Sequence, residues 1–184
     1  MEIIKTKIPG LLVVEPTVFN DDRGYFFESY QSARYVDAGI DAGFIQDNES
    51  KSVRGVVRGL HYQLGEFAQA KLVRVVQGSV FDVAVDLRKG SPTFGEWFGI
   101  ELNDKNKKQL FVPRGFAHGF SVLSETAIFS YKCDNLYKKE AERSINPFDT
   151  ELNIDWHLEN SQQIISEKDR QAPAFKNAEI NFTF

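Results

Sequence analysis

Short stretches in which apolar and polar residues alternate constrain this chain more than any other feature, because a period of two belongs to strands and not to helices. The clearest covers residues 80–87, where Phe81, Val83, Val85 and Leu87 fall on one face and Asp82, Ala84 and Asp86 on the other. Further strand-like runs cover 11–15, 25–30, 56–63, 71–77, 98–102, 109–112, 119–122 and 127–132. Turn signals separate them, among them Asn20-Asp21-Asp22-Arg23-Gly24, Lys89-Gly90-Ser91-Pro92 and Asn103-Asp104-Lys105-Asn106. Only 32–38 and 149–152 read as briefly helical. Many short, evenly spaced strands predict an all-β jelly roll, sandwich or barrel, and the lack of intervening helices argues against a parallel doubly wound sheet. No repeat or Pro/Gly/Ser linker divides the 184 residues, so we expect one domain over 1–184. The 16 Phe fit the core of such a fold.

Charge and cysteine content exclude several function classes. A net charge of −4 argues against a nucleic-acid coat, which needs a basic domain. The charge is uneven, however: residues 50–75 carry Lys51, Arg54, Arg58, Lys71 and Arg74 against Glu66 alone. A basic middle in an acidic chain suits a pocket for phosphate or carboxylate, although solvated strand faces would look the same. The single cysteine, Cys133, excludes a disulfide framework and a cysteine zinc site. No apolar run approaches the roughly 18 residues of a membrane span. Met1-Glu2-Ile3-Ile4-Lys5 does not open like a secretory signal, so a cytoplasmic location is expected. The sequons at Asn48 and Asn181 then count as chance matches. No Gly-x-Gly-x-x-Gly follows a strand and no Walker-type loop is present, which disfavours nicotinamide and ATP chemistry.

Two segments carry residues able to do chemistry. Arg58-Gly59-Leu60-His61-Tyr62-Gln63, read as a regular strand, puts His61 and Gln63 on one face and Arg58 on the other. Pro113-Arg114-Gly115-Phe116-Ala117-His118-Gly119 supplies a Pro-x-Gly-x-x-His pattern. Together they resemble the two motifs of the cupin superfamily, a double-stranded β-helix with a ligand-binding interior. A metal-binding cupin reads His-x-His followed by Glu; here Gln63 replaces the second His and Glu66 falls one residue early. Two imidazoles and an amide make a poor transition-metal cage, so no metal is expected. His61 can still exchange a proton near neutral pH. Lys71 shares a strand face with Val73 and Val75, and Tyr131 shares one with Ala127 and Phe129. Each of these has a structural reading when taken singly; their gathering around one barrel is what would matter. His157 and Cys133 sit in no motif and read as structural.

Several stretches in order extend the likeness. They are Asn20-Asp21-Asp22-Arg23-Gly24-Tyr25-Phe26-Phe27-Glu28-Ser29, Gln46-Asp47-Asn48, Arg58-Gly59-Leu60-His61 and Lys71-Leu72-Val73-Arg74. Farther on come residues 81–88, Ser91-Pro92-Thr93-Phe94-Gly95, the segment 113–120 and Ser166-Glu167-Lys168-Asp169. Over nearly its whole length the sequence resembles the dTDP-4-dehydrorhamnose 3,5-epimerase family. The resemblance implies a metal-free, cofactor-free enzyme acting on a small dTDP-sugar in dTDP-L-rhamnose synthesis, between the 4,6-dehydratase and the 4-reductase. Carried onto matching positions, it makes His61 the base, Asp169 its orienting carboxylate, Tyr131 the acid and Lys71 the holder of the enolate oxygen. Arg23, Glu28, Gln46, Asn48, Arg58, His118, Glu142 and Lys168 would contact substrate, with Tyr137 stacked on thymine. It also implies a homodimer with exchanged N-terminal strands, so that residues near Arg23 and Phe26 serve the partner's pocket.

One departure stands out: Glu49 occupies a position that is His in many relatives, and an outward-pointing side chain is expected there. Rival readings are an epimerase acting only at C3 or only at C5, a ketoisomerase, a non-catalytic sugar-nucleotide-binding cupin, and a metal-dependent oxygenase. Tyr131 speaks for double epimerisation; His61, Lys71 and Asp169 speak against a mere binder; Gln63 speaks against the oxygenase.

Overall fold

The computed structural model describes residues 1–184, the side chain of Asn160 excepted. Two sheets of six strands face each other. The first runs β1 (Glu2–Lys5), β2 (Leu12–Glu15), β10 (Gln109–Val112), β7 (Lys71–Gln77), β12 (Thr126–Cys133) and β5 (Gln46–Val53). The second runs β13 (Glu142–Ser144), β6 (Val56–Gln63), β11 (Phe116–Val122), β8 (Ser79–Asp86) and β9 (Trp97–Asn103), with β14 (Ile164–Ile165) parallel to β6. All other pairings between these strands are antiparallel, the arrangement of a cupin-type jelly roll. A separate hairpin joins β3 (Phe19–Asp21) to β4 (Gly24–Phe26), and the helices are α1 (Ser32–Asp37) and α2 (Glu167–Arg170). Among the described residues, no helix is long and apolar enough to cross a membrane.

The main core lies between the sheets. Val13, Val73, Val75, Leu110 and Phe129 from the first meet Val80, Ala84, Phe120 and Val122 from the second. Two further apolar layers cover the outer faces: Ile145, Leu152, Trp156 and Phe175 pack on the second sheet, and Tyr35, Ile40 and Ala42 on the first. β8 therefore has no solvent side. Phe81, Val83 and Val85 face the outer layer, while Val80 and Ala84 belong to the interior, and Asp82 and Asp86 are fully buried. The alternation across 80–87 marks two different buried faces, not an inside and an outside.

Two expected elements differ. The strand expected over 25–30 stops at Phe26, because its only partner is the three-residue β3. The helix expected over 149–152 is a side-chain-capped turn, in which Asp149 Oδ1 accepts from the N–H groups of Glu151 and Leu152 and its Oδ2 from Phe175. A carboxylate satisfying those donors replaces the backbone bonds a helix would make.

Candidate active site

The site begins with an irregularity in β6. Along the β6–β11 pairing His61 opposes His118 and Arg58 opposes Phe120, so three steps on β6 match two on β11. That bulge cancels one alternation, and Arg58 shares the interior-facing side with His61, not the opposite side that a regular strand predicts. The bulge needs glycine on both strands. Gly59 has φ +129°, and a Cβ there would lie 2.6 Å from Gly119 Cα; a Cβ on Gly119 would lie 2.6 Å from the Arg58 carbonyl oxygen.

The two sheets then supply opposite walls of one cavity of about 170 Å³, lined by Gln46, Asn48, His61, Lys71, Tyr131 and Glu142 among others. His61 comes from the second sheet. Lys71, Tyr131 and Asn48 come from the first, where Tyr131 opposes Asn48 on β5 and Val73 on β7. The Lys71 ammonium lies 5.9 Å from the centroid of the Tyr131 ring. Among the described residues it has no hydrogen bond or ion pair. The mouth carries Tyr137, whose hydroxyl donates to Glu142 Oε2 at 3.1 Å, and Lys168, paired with the same oxygen at 2.5 Å.

His61 is oriented from behind. Its Nε2 lies 2.7 Å from Asp169 Oδ1, and Asp169 is buried. Ser166 caps α2 by accepting the Asp169 N–H, which fixes the carboxylate-bearing residue although it stands 108 residues away in sequence. Burial pushes the Asp169 carboxyl up, but the His61 hydrogen bond and charge, Ser166 and the Gly59 N–H outweigh it, leaving the group below its ordinary range. An ionised Asp169 accepts Nε2–H and leaves the lone pair on Nδ1, the state a base needs. Burial raises the Tyr131 phenol despite the nearby Arg58 charge, keeping it protonated at neutral pH. Burial also lowers Lys71, against the partial support of the Asp82 and Glu142 charges.

Gln46, Asn48, His61, Lys71, Tyr131, Tyr137 and Glu142 thus meet in one cavity. Arg58, Lys168 and Asp169 line an adjoining hollow that shares His61. His118 is buried deeper, its Nε2 3.0 Å from both Asp82 oxygens. Arg23 and Glu28 do not reach the cavity of their own chain: Arg23 pairs with Asp21 at 2.5 Å on the hairpin, and Glu28 with Arg34 at 3.1 Å. Glu49 is exposed and pairs across to Ser130 on the face opposite Asn48, the outward position expected. Sequence reasoning missed Gln69, which lines the cavity, and Asp82, the partner of His118. Gln69 precedes β7, outside any strand, so no alternation could have placed it. No three His, Cys, Asp or Glu side chains gather as metal ligands among the described residues.

An imidazole and a phenol on facing walls, with an unpaired ammonium beside the phenol, are the groups an enzyme needs to move protons beside a carbonyl, and here they sit in a cupin barrel. The comparisons name the family. The model of the family described as dTDP-4-dehydrorhamnose 3,5-epimerase matches residues 5–177. The Shigella flexneri enzyme of that name is 52% identical over 97% of this chain and 98% of its own. The crystal structure of the Elizabethkingia anophelis enzyme superposes with a TM-score of 0.93 at 55% identity, covering 96% of this chain and 97% of that one. A Legionella pneumophila epimerase solved with dTDP-4-keto-L-rhamnose gives 0.95 at 48% identity, covering 100% and 98%. The chain belongs to the dTDP-4-dehydrorhamnose 3,5-epimerase family and is an isomerase.

Proposed function

We propose that this chain converts dTDP-4-dehydro-6-deoxy-D-glucose to dTDP-4-dehydro-L-rhamnose, with His61 as base, Tyr131 as acid and Lys71 at the enolate oxygen. The observation that carries the reading is the His61–Asp169 contact of 2.7 Å on one wall of a cavity whose other wall holds Tyr131 and Lys71. Protons on C3 and C5 are acidic because both carbons flank the C4 ketone. Removal by His61 sends the electron pair to O4, where the Lys71 ammonium stabilises the anion. Donation from the Tyr131 hydroxyl to the other face of the same carbon inverts it. The imidazolium then loses its proton to solvent and the phenolate regains one, restoring both groups before the second carbon reacts.

Arg58 and Lys168 suit the diphosphate, and the exposed Tyr137 ring suits the base. We read residues 1–184 as one cytoplasmic domain that works as a homodimer with exchanged N-terminal strands. Supporting this, the short β3–β4 hairpin exposes Phe19, Tyr25 and Phe26 at 62%, 56% and 70%, three large rings that a partner could cover. Arg23 at its tip and Glu28 beyond it would then serve the partner's cavity.

Incubation with substrate in heavy water tests the reaction. NMR of the sugar nucleotide should show deuterium at C3 and C5 with both centres inverted, and His61→Ala should abolish the exchange. Exchange at one carbon only would make the chain a single-position epimerase; normal exchange by His61→Ala would remove that imidazole from the mechanism.

A further inference from the structure

Residues 135–138, which carry Tyr137 across the cavity mouth, have almost no regular structure, yet each has a backbone group held by a glutamine side chain. Gln69 Nε2 donates to the Asn135 carbonyl at 2.8 Å, and Gln63 Nε2 to that of Leu136 at 3.1 Å. The Tyr137 N–H donates to Gln46 Oε1 at 3.3 Å, and the Lys138 N–H to Gln63 Oε1 at 2.6 Å. Gln63 thus grips the backbone on both sides of Tyr137. Its second N–H goes to the Phe67 carbonyl at 2.8 Å, and the residue is 4% exposed, so no donor is left for a ligand. A neutral imidazole, with one donor and one acceptor on opposite edges of the ring, could not make these three bonds. The position where a metal-binding cupin has its second histidine serves here as a clamp.

We propose that Gln63 is a positioning residue for nucleotide recognition, fixing the Tyr137 ring over the cavity mouth. The proposal rests on the reading of Tyr137 as the ring that stacks on the base. Losing Gln63 should therefore weaken binding of the thymidine diphosphate part and leave proton transfer in the bound complex nearly intact.

A double-mutant cycle with dTDP as the titrated probe tests this. Gln63→Leu should raise the dTDP Kd about tenfold, the effect of one lost buried hydrogen-bonding partner on the order of the segment. It should add nothing further in a Tyr137→Ala background. KM for the sugar nucleotide should rise in parallel, with kcat within about threefold. Should Gln63→Leu fail to fold, Gln63→Met, which keeps the length of the side chain and removes its three hydrogen bonds, carries the same cycle. Equal weakening with and without the Tyr137 ring, or a folded Gln63→Leu that binds dTDP normally, would overturn the proposal while sparing the stacking reading. A Tyr137→Ala variant with normal dTDP affinity would overturn both.

Discussion

Lys71→Met should make this protein more stable and nearly inactive at once. The ammonium sits in the cavity wall without a hydrogen bond or ion pair among the described residues; its nearest described ring is Tyr131 at 5.9 Å. Desolvation lowers its pKa below the free-lysine value of 10.5, and the Asp82 and Glu142 charges offset that only in part. The folded state thus binds fewer protons than the unfolded state between the folded pKa and 10.5, and stability rises with pH through that window. Below the window the charge is a standing cost of folding. Methionine keeps the unbranched chain and removes the charge. Lys71 is half-buried as a whole residue, so we set the gain at roughly 1–3 kcal/mol. For a chain of this size that raises Tm by roughly 2–10 °C. Loss of the cation from the enolate oxygen should cut kcat by about 10²–10³. Thermal unfolding from pH 7 to 10.5 and heavy-water exchange read both effects, and the Tm advantage should shrink toward the alkaline end. A less stable Lys71→Met at pH 7, or one that exchanges C3 and C5 at the normal rate, would refute the assignment of Lys71 as a desolvated catalytic cation.

Two further substitutions separate chemistry from scaffold. Asp169→Asn keeps the shape behind His61 but not the charge, and should lower kcat by about 10²–10⁴ with little change in KM; a rate within threefold of the parent would detach Asp169 from the base. Asp86, fully buried, accepts from Arg88 at 2.7 and 2.8 Å, Ser91 at 2.6 Å and Thr93 at 2.8 Å. Burial raises its carboxyl, but those bonds outweigh it and hold the group below 3.8, so its contribution is present above that pH and is lost as acid protonates the folded state. Asp86→Asn removes the charge opposite Arg88, leaving that guanidinium only the Pro9 carbonyl and the Phe116 and Phe184 rings, and should cost roughly 3–5 kcal/mol in denaturant unfolding near neutral pH, narrowing in acid; an unchanged midpoint would show that the carboxylate holds nothing.

The sequence made the interior strands readable because their alternation is tied to burial: 56–63, 71–77 and 109–112 coincide with β6, β7 and β10. β5 escaped because Gln-Asp-Asn-Glu-Ser-Lys-Ser-Val is an edge strand with polar residues on both faces, so no apolar period marks it. The interior face of β5, with Gln46 and Asn48, could be placed only by resemblance. The bulge at Gly59 was unreadable for a different reason. Two glycines must meet across strands before the step in register exists, and that contact is tertiary. Asp169 is the extreme case, since nothing local distinguishes it from Glu167; only the fold of the C-terminal segment over β6 brings it to His61.

The two-sheet architecture bears directly on the stereochemistry. Inversion at a carbon requires proton removal from one face and delivery to the other, so acid and base must stand on opposite sides of the substrate. Neighbouring side chains on one strand face, as Tyr131 and Cys133 are, could only return a proton to the face it left. Facing sheets remove that restriction: β6 presents His61 to one side of the cavity while β7 and β12 present Lys71 and Tyr131 to the other. The apolar interior beyond them, where the buried Phe129 and Phe120 rings stack with centroids 4.3 Å apart, separates the cavity floor from bulk solvent. On the roles proposed above, the same geometry gives a reason for the cation to stand on Tyr131's wall. An ammonium beside His61 would oppose protonation of the imidazole, whereas beside Tyr131 it would stabilise the phenolate left after donation as well as the enolate before it.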